Sequence, residues 1–113
     1  MTTEKKGDYG YSTDPLANTE VYDTGVIRCL KNARITGTIA ADQSGKIRIY
    51  QGATEANPDD YMTEISFAAG AAIGAGDAWT VDCVGLYCRI EVVNDSGVDM
   101  TVTRFGWKLT SVK

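Results

Sequence analysis

The stretch ARITGTIAADQSGKIRIYQG, residues 33–52, contains two segments of alternating apolar and polar side chains around a short polar turn. A period of two with one apolar face is typical of β-strands that cover a core on one side only. The stretch therefore predicts a strand, the turn Asp42-Gln43-Ser44-Gly45 and a second strand. The apolar positions of these strands are Ile35, Ile39, Ile47 and Ile49.

Similar alternation continues to the end of the chain. In the last alternating segment the apolar residues change parity near Thr103–Arg104, and a β-bulge there would bring all of them inward. These residues are Met100 and Val102 before that point, and Phe105, Trp107 and Leu109 after it. Strands are predicted near residues 20–24, 26–30, 33–41, 45–52, 61–68, 77–83, 86–94 and 98–110.

Helix signals are almost absent. The best candidate, Phe67–Ile73, contains Gly70 and is predicted to be a loop. The pattern predicts an all-β fold, an antiparallel β-sandwich or jelly roll of about seven or eight short strands.

Two polar turns that end in Ser-Gly separate predicted strands, and we expect both to be structural hairpin turns. The first residue of such a turn accepts a hydrogen bond from the backbone two residues on, and the glycine adopts the left-handed conformation. A calcium loop would need more oxygen ligands, and a phosphate-binding loop would need a longer glycine motif. The predicted turn residues are Asp42, Ser44 and Gly45 in one turn, and Asn94, Ser96 and Gly97 in the other.

Residues 1–24 are polar and follow neither period, so they are predicted to form an extended N-terminal arm, with residues 25–113 as the β-sandwich domain. Solvated linkers rarely carry three tyrosines, which indicates that the arm docks on a partner. The alternative is that the arm folds back on its own domain. The residues expected to bind a partner are Tyr9, Tyr11, Leu16, Val21 and Tyr22.

Composition limits the functions open to this chain of 113 residues, which has the length of one domain. Its formal charge is −4 and it has no basic face, so nucleic-acid binding is not expected. It contains no histidine, which removes the usual catalytic triads, zinc sites and general-base schemes. We therefore expect no catalytic residue, no cofactor and no metal site.

No apolar run approaches the roughly 20 residues needed to span a bilayer. The N-terminus lacks the apolar segment of a secretory signal, so synthesis in a cytoplasm is expected. The odd set Cys29, Cys83 and Cys88 fits reduced thiols in the core better than a disulfide framework. A Cys83–Cys88 bridge is the alternative.

Two further groups could act in binding. Glu55, Asp59 and Asp60 could hold a cation, although a solvated acidic loop is the more common arrangement. Trp79 and Trp107 could stack on a sugar, but both lie on the apolar parity of their strands, which favours burial.

The stretches ARITGTIAADQSGKIRIYQG and WTVDCVGLYCRIEVVNDSGVDMTVTRFGWKL together resemble a small β-sandwich unit found in structural proteins of tailed bacteriophages. The resemblance covers about residues 33–110, and it departs at Gly52, where a serine is usual, and at the longer turn 95–97. The matching positions are Gly37-Thr38, Asp42 to Gly45, Gln51, Tyr87 to Ile90, Asn94 and Phe105.

The resemblance implies no catalytic residues. It implies a virion structural protein, above all a capsid decoration (cement) protein that binds the outer capsid surface between capsomers, often as a trimer, with the major capsid protein as its partner. The alternatives are a β-sandwich of the tail or fibre, and a carbohydrate-binding module. Exposed, coplanar indoles would favour the last of these, and buried indoles would favour a structural role.

Overall fold

The computed structural model describes residues 4–6, 9–12, 15–29 and 33–111, with side chains for 16–29 and 33–110. These residues form strands and no helix. Each of the eight predicted strands is present, with bounds within two residues of the prediction. The strands are β1 (Glu4–Lys6), β2 (Tyr9–Ser12), β3 (Pro15–Leu16), β4 (Val21–Asp23), β5 (Ile27–Arg28), β6 (Ala33–Ala41), β7 (Gly45–Gly52), β8 (Tyr61–Phe67), β9 (Asp77–Asp82), β10 (Tyr87–Val93) and β11 (Met100–Ser111).

The strands form two antiparallel sheets. The first has the order β1-β2-β11-β6-β9, with β3 also paired to β11. The second has the order β4-β10-β7-β8, with β5 also paired to β10. The predicted all-β sandwich is confirmed.

Both predicted hairpin turns are wrong in one respect, because neither joins two paired strands. The loop after β6 leads from the first sheet to β7 in the second, and the loop after β10 leads back to β11 in the first. Among the described residues, consecutive strands pair directly only in β1–β2 and β7–β8. Alternation along the chain predicted the strands, but it carries no information on which sheet each strand joins.

The β6–β7 loop, which is the first crossing between the sheets, is also held differently from the prediction. The carboxylate of Asp42 accepts a hydrogen bond from the amide of Thr101 at 2.8 Å, so it fastens the crossing to β11 instead of capping its own turn. Gly45 does not have a positive φ. A Cβ at Gly45 would lie 2.5 Å from the carbonyl oxygen of Val93, so close packing requires this glycine. Ser44 is exposed.

The second crossing contains the predicted turn chemistry and an additional role for its first residue. The amide of Ser96 donates to Asn94 Oδ1 at 3.1 Å, and Gly97 has a φ of 90°, both as predicted. Asn94 is completely buried. Its Nδ2 lies 3.0 Å from the carbonyl oxygen of Leu16, 3.1 Å from that of Ala17 and 2.8 Å from that of Val98.

The core lies between the two sheets and consists of the alternating apolar residues of both. The register of β11 against β6 shifts between Val102 and Arg104, which confirms the predicted bulge. Side chains on both sides of the bulge are buried as a result. The buried residues include Ile35, Ile39, Trp79, Val102, Phe105, Trp107 and Leu109 from the first sheet, and Ile47, Ile49, Cys88, Ile90 and Val92 from the second.

Trp79 and Trp107 are buried, as their parity predicted. Gly37 lies between them in the first sheet, paired with Trp107 on one side and with Trp79 on the other. A Cβ at Gly37 would overlap the indole ring of Trp79. The absence of a side chain at Gly37 therefore makes the space that this indole fills.

The region predicted as an arm differs from the prediction where it is described. Residues 15–16 pair with β11, and residues 21–23 pair with β10, so this segment belongs to both sheets. Leu16 and Tyr22 are part of the core, and the ring of Tyr22 packs edge-on against Phe105 at 6.2 Å between centroids. Because mostly polar residues separate Leu16 from Tyr22 in the sequence, the pattern did not predict that these two side chains are buried.

Candidate functional site

The five residues expected to bind a partner are not together on one surface. Leu16 and Tyr22 are buried, whereas Val21 is exposed. Tyr9 and Tyr11 lie in β2, which pairs with β11, but their side chains fall outside the described residues. Leu16 and Tyr22 therefore serve the core, and binding through Tyr9, Tyr11 and Val21 stays a prediction.

A shallow depression of about 250 Å³ lies at one end of the sandwich, and three exposed apolar side chains surround it. Val84 is 70% exposed and Leu86 is 65% exposed, both on the loop between β9 and β10. Tyr61, at the start of β8, is 56% exposed. We call Tyr61, Val84 and Leu86 the apolar end.

The loop that carries Val84 and Leu86 is held by a buried side chain of the second sheet. Gln51 Oε1 accepts hydrogen bonds from the amides of Val84 at 2.7 Å and Gly85 at 3.1 Å. Its Nε2 donates to the carbonyl oxygen of Asp82 at 3.1 Å. The three hydrogen bonds hold the first part of this short loop against the end of β7.

A contact between two glycines completes this support. The amide of Leu86 donates to the carbonyl oxygen of Gly52 at 3.0 Å. A Cβ at Gly85 would lie 2.8 Å from the nitrogen of Gly52, so the two backbones approach closely only because Gly85 is a glycine. Val84 and Leu86 thus project from a well-held backbone, and exposed apolar groups on such a support are typical of interaction surfaces.

The outer face of the second sheet carries a cluster of three carboxylates around one arginine. Arg89 contacts Asp59 through two nitrogens at 2.8 and 2.9 Å, and it contacts Asp23 at 2.7 Å and Glu91 at 2.9 Å. Its guanidinium lies 3.9 Å above the ring centroid of Tyr50. The hydrogen bond to Asp59 raises the pKa of Arg89 and lowers the pKa of Asp59. This cluster fastens the acidic loop to β10 and adds side-chain contacts to the pairing of β4 with β10.

The acidic loop is engaged in similar structural contacts. Asp59 is bound to Arg89, and Asp60 accepts a hydrogen bond from the amide of Ala53 at 3.2 Å. Across the described residues, no three His, Cys, Asp or Glu side chains are placed to hold a metal ion. The three cysteines are free thiols, as predicted, and Cys29 and Cys88 are buried.

The comparisons with known proteins assign no family to this chain. Neither the models of known protein families nor the curated proteins include a match to it. Within its described part, the chain has no helix with the length and apolar character needed to cross a membrane.

Sequence reasoning missed the apolar end. In the sequence, Val84 and Leu86 stand between the apolar core positions of β9 and those of β10, and they are as hydrophobic as those buried residues. The signal that was present is Gly85 between two apolar residues in a connection too short to form a core of its own. Their exposure depends on Gln51 and Gly52, which are distant in sequence.

Proposed function

We propose that this protein is a non-enzymatic structural protein of a phage virion. In this proposal it is a capsid decoration protein that binds the outer capsid surface between capsomers and stabilises the shell. The observation that carries the binding part is the apolar end, where Val84 and Leu86 are exposed on a loop that Gln51 holds in place. The phage part rests on the resemblance over residues 33–110.

The strand order supports the jelly-roll form of the sandwich. The four-strand orders β2-β11-β6-β9 and β4-β10-β7-β8, with most connections passing between the sheets, are compatible with two interlocked Greek keys. Jelly rolls are frequent in viral capsid proteins and in lectins. The fold is therefore compatible with both the virion role and glycan binding. The choice between these two functions depends on which side chains are exposed.

The side chains favour the virion role over a glycan-binding module. Stacking on a sugar requires exposed aromatic rings, and Trp79 and Trp107 are both buried between the sheets. Tyr61 offers a single exposed ring at the apolar end. An apolar surface with one aromatic residue fits a hydrophobic contact with another protein.

The proposed partner is the major capsid protein, and the proposed oligomer is a trimer that sits where capsomers meet. A protein that contacts two capsomers adds its own contacts to those that must break when the capsomers separate. Many copies around the shell raise the temperature at which the shell opens, even when each contact is moderate. No chemical step is required for this function.

The test uses capsids that lack the protein, to which purified protein is added back. We expect specific occupancy of a fixed lattice site and release of DNA at a higher temperature than in untreated capsids. A double variant, Val84→Ser with Leu86→Ser, is expected to bind at least about tenfold more weakly, because each buried apolar side chain contributes about 1.5–3 kcal/mol.

Ile73→Ser is the matched control. Ile73 is also apolar and is 96% exposed, but it lies on the loop between β8 and β9, away from the apolar end. Both variants change exposed residues only, so their thermal unfolding should match that of the native protein. Equal binding by both variants would exclude the apolar end as the contact. Labelling of the tail or fibre alone would exclude the decoration role.

A further inference from the structure

Among the described residues, the two sheets end in four edge strands, and β8 is the longest of them. The sheet orders end at β1 and β9 in the first sheet, and at β4 and β8 in the second. β8 has seven residues, Tyr61–Phe67, and pairs with β7 along its whole length without a register shift. On its other side it has no strand partner in the part of the chain that the structure describes. Alternate amide and carbonyl groups of β8 therefore point away from the sheet, where they can pair with a further strand.

The sequence of β8 lacks the features that usually keep an edge strand from pairing with other molecules. Such features are a lysine or proline in the strand, a β-bulge, or a charged side chain directed inward. The strand YMTEISF contains neither lysine nor proline, and its pairing with β7 shows no bulge. Its one charged residue, Glu64, is exposed and lies 2.9 Å from Arg48 Nε and 3.9 Å from Lys46 Nζ. Because these two cations of its own molecule compensate its charge, Glu64 offers little repulsion to an approaching strand.

Apolar side chains lie beside this edge on both faces of the sheet. Met62, on the outer face, is 44% exposed. Ile65, on the inner face, packs against the core but is only partly buried, because the sheet ends at β8. A strand added at β8 would cover more of both side chains, so apolar contacts would add to the main-chain hydrogen bonds.

The charges around β8 favour a second copy of this chain as the added strand, in the antiparallel orientation. Asp59 and Asp60 immediately precede β8, whereas residues 68–70, which follow it, are uncharged. In an antiparallel pair of copies, the acidic end of each β8 lies beside the uncharged end of the other. The two acidic ends are then about 20 Å apart, since each residue of a strand advances about 3.3 Å. A parallel pair would instead bring all four carboxylates together.

The other described edges are less suited to pairing between copies. β9 begins with Asp77 and ends with Asp82, so an antiparallel pair of β9 strands would bring carboxylates together at both of its ends. β1 and β4 have three residues each, which limits the number of hydrogen bonds that they could add. The edge of β8 is therefore the one that length and charge leave open to a second copy.

We propose that two copies of this protein pair through the edges of β8, antiparallel and about a twofold axis, so that their second sheets join into one continuous sheet. The same strand serves both copies, which makes the contact self-complementary. A single pair of seven-residue strands buries less surface than a standard interface, so the dimer is weak and forms reversibly as the protein concentration rises. This inference concerns the protein in solution and does not rest on the proposed virion function. The contact is also distinct from the one that would build the proposed trimer.

The experiment combines sedimentation velocity with amide hydrogen exchange of the purified full chain. Sedimentation over a wide range of protein concentrations should show a monomer that converts to a dimer. Hydrogen exchange at low and high concentration should show added protection at alternate amides of Tyr61–Phe67, because only every second amide points to the open edge. Amides of β9, at the edge of the first sheet, should exchange equally at both concentrations.

A variant that adds charge to β8 tests the contact directly. Met62, Glu64 and Ser66 share the exposed face of the strand, so the double variant Met62→Glu with Ser66→Glu places three carboxylates on it. In every register that keeps the faces aligned, these carboxylates oppose those of the second copy. The dissociation constant of the dimer should rise at least about tenfold, and high salt should reverse part of that loss. The monomer should tolerate the change, since Ser66 is opposite Lys46 in β7.

The double variant Ala78→Glu with Thr80→Glu is the matched control. It makes the same change of charge at two exposed positions of β9, so it should leave the dissociation constant unchanged. The native protein decides the question even if a variant fails to fold. A protein that stays monomeric at all concentrations, an oligomer larger than a dimer, or a dimer without added protection in β8 would overturn the proposal. Equal weakening by the two variants would overturn it as well.

Discussion

Replacement of Asn94 by alanine should destabilise the whole sandwich, because this one buried amide connects three chain segments. Its Nδ2 is shared by the carbonyl oxygens of Leu16, Ala17 and Val98, and its Oδ1 accepts from the amide of Ser96. The variant Asn94→Ala removes the only side chain amide at this crossing between the sheets. It also loosens the connection between residues 16–17 and β11.

The magnitude follows from the burial of these groups. The hydrogen bond to Leu16 is buried, so its carbonyl oxygen loses its Nδ2 donor in a place where water does not easily replace it, at a cost of about 1–3 kcal/mol. The other two carbonyl oxygens are partly buried and together add about 1 kcal/mol, because water can reach them. The expected loss is about 2–4 kcal/mol, a large part of the total stability of a typical domain of about 5–15 kcal/mol.

Urea unfolding followed by tryptophan fluorescence measures this loss. With a slope of about 2 kcal/mol per molar urea, the midpoint of Asn94→Ala should fall by about 1–2 M at unchanged slope. Asn94→Asp keeps the shape and the acceptor but removes the donors, so at neutral pH it should be at least as destabilising. Protonation of the new carboxyl at low pH returns one donor and should recover part of the loss.

Ser96→Ala is the matched control in the same loop. It removes the hydroxyl that lies 2.7 Å from Asn94 Oδ1 but leaves the three carbonyl contacts intact, so it should cost about 1 kcal/mol or less. The reasoning is refuted if Asn94→Ala and Asn94→Asp both lose less than about 1 kcal/mol, or if the serine variant is as damaging as either.

Two further predictions concern the core. Gly37→Ala should lower the free energy of unfolding by about 1–3 kcal/mol, because the new methyl group overlaps the Trp79 ring. Thr38→Ala, at the exposed neighbouring position, should change that free energy by no more than about 0.5 kcal/mol. Thermal unfolding of both variants checks this prediction. Burial, with a contribution from the charge of Asp23, raises the pKa of Tyr22 to about 12, so the unfolded chain releases this proton first and stability should fall as pH rises from about 10 to 12. Tyr22→Phe should remove that part of the pH dependence, and an unchanged pH profile would contradict the burial of the Tyr22 hydroxyl.

The proposed resemblance to phage sandwich units rests mostly on residues that the fold needs. Gly37 makes room for an indole, Gln51 holds the β9–β10 loop, Asn94 ties three segments together and Phe105 fills the core. Such positions identify an architecture more strongly than a role. This is why the proposed virion function is tested on Val84 and Leu86, the two exposed apolar residues of the β9–β10 loop.

Local patterns in the sequence determined the eight strands from residue 20 onward, the bulge and the inward direction of Trp79 and Trp107, because side-chain alternation is a property of neighbouring residues. They did not predict β1, β2 or β3. The thiols were also predictable as reduced core residues. Strand partners were not predictable in this way, since pairing joins residues far apart in the chain. The tertiary structure alone decided that both Ser-Gly turns cross between sheets, that Leu16 and Tyr22 belong to the core, and that Val84 and Leu86 remain exposed. Each of these outcomes depends on what a distant segment covers, and alternation along the chain is the same whether a side chain meets another sheet or solvent.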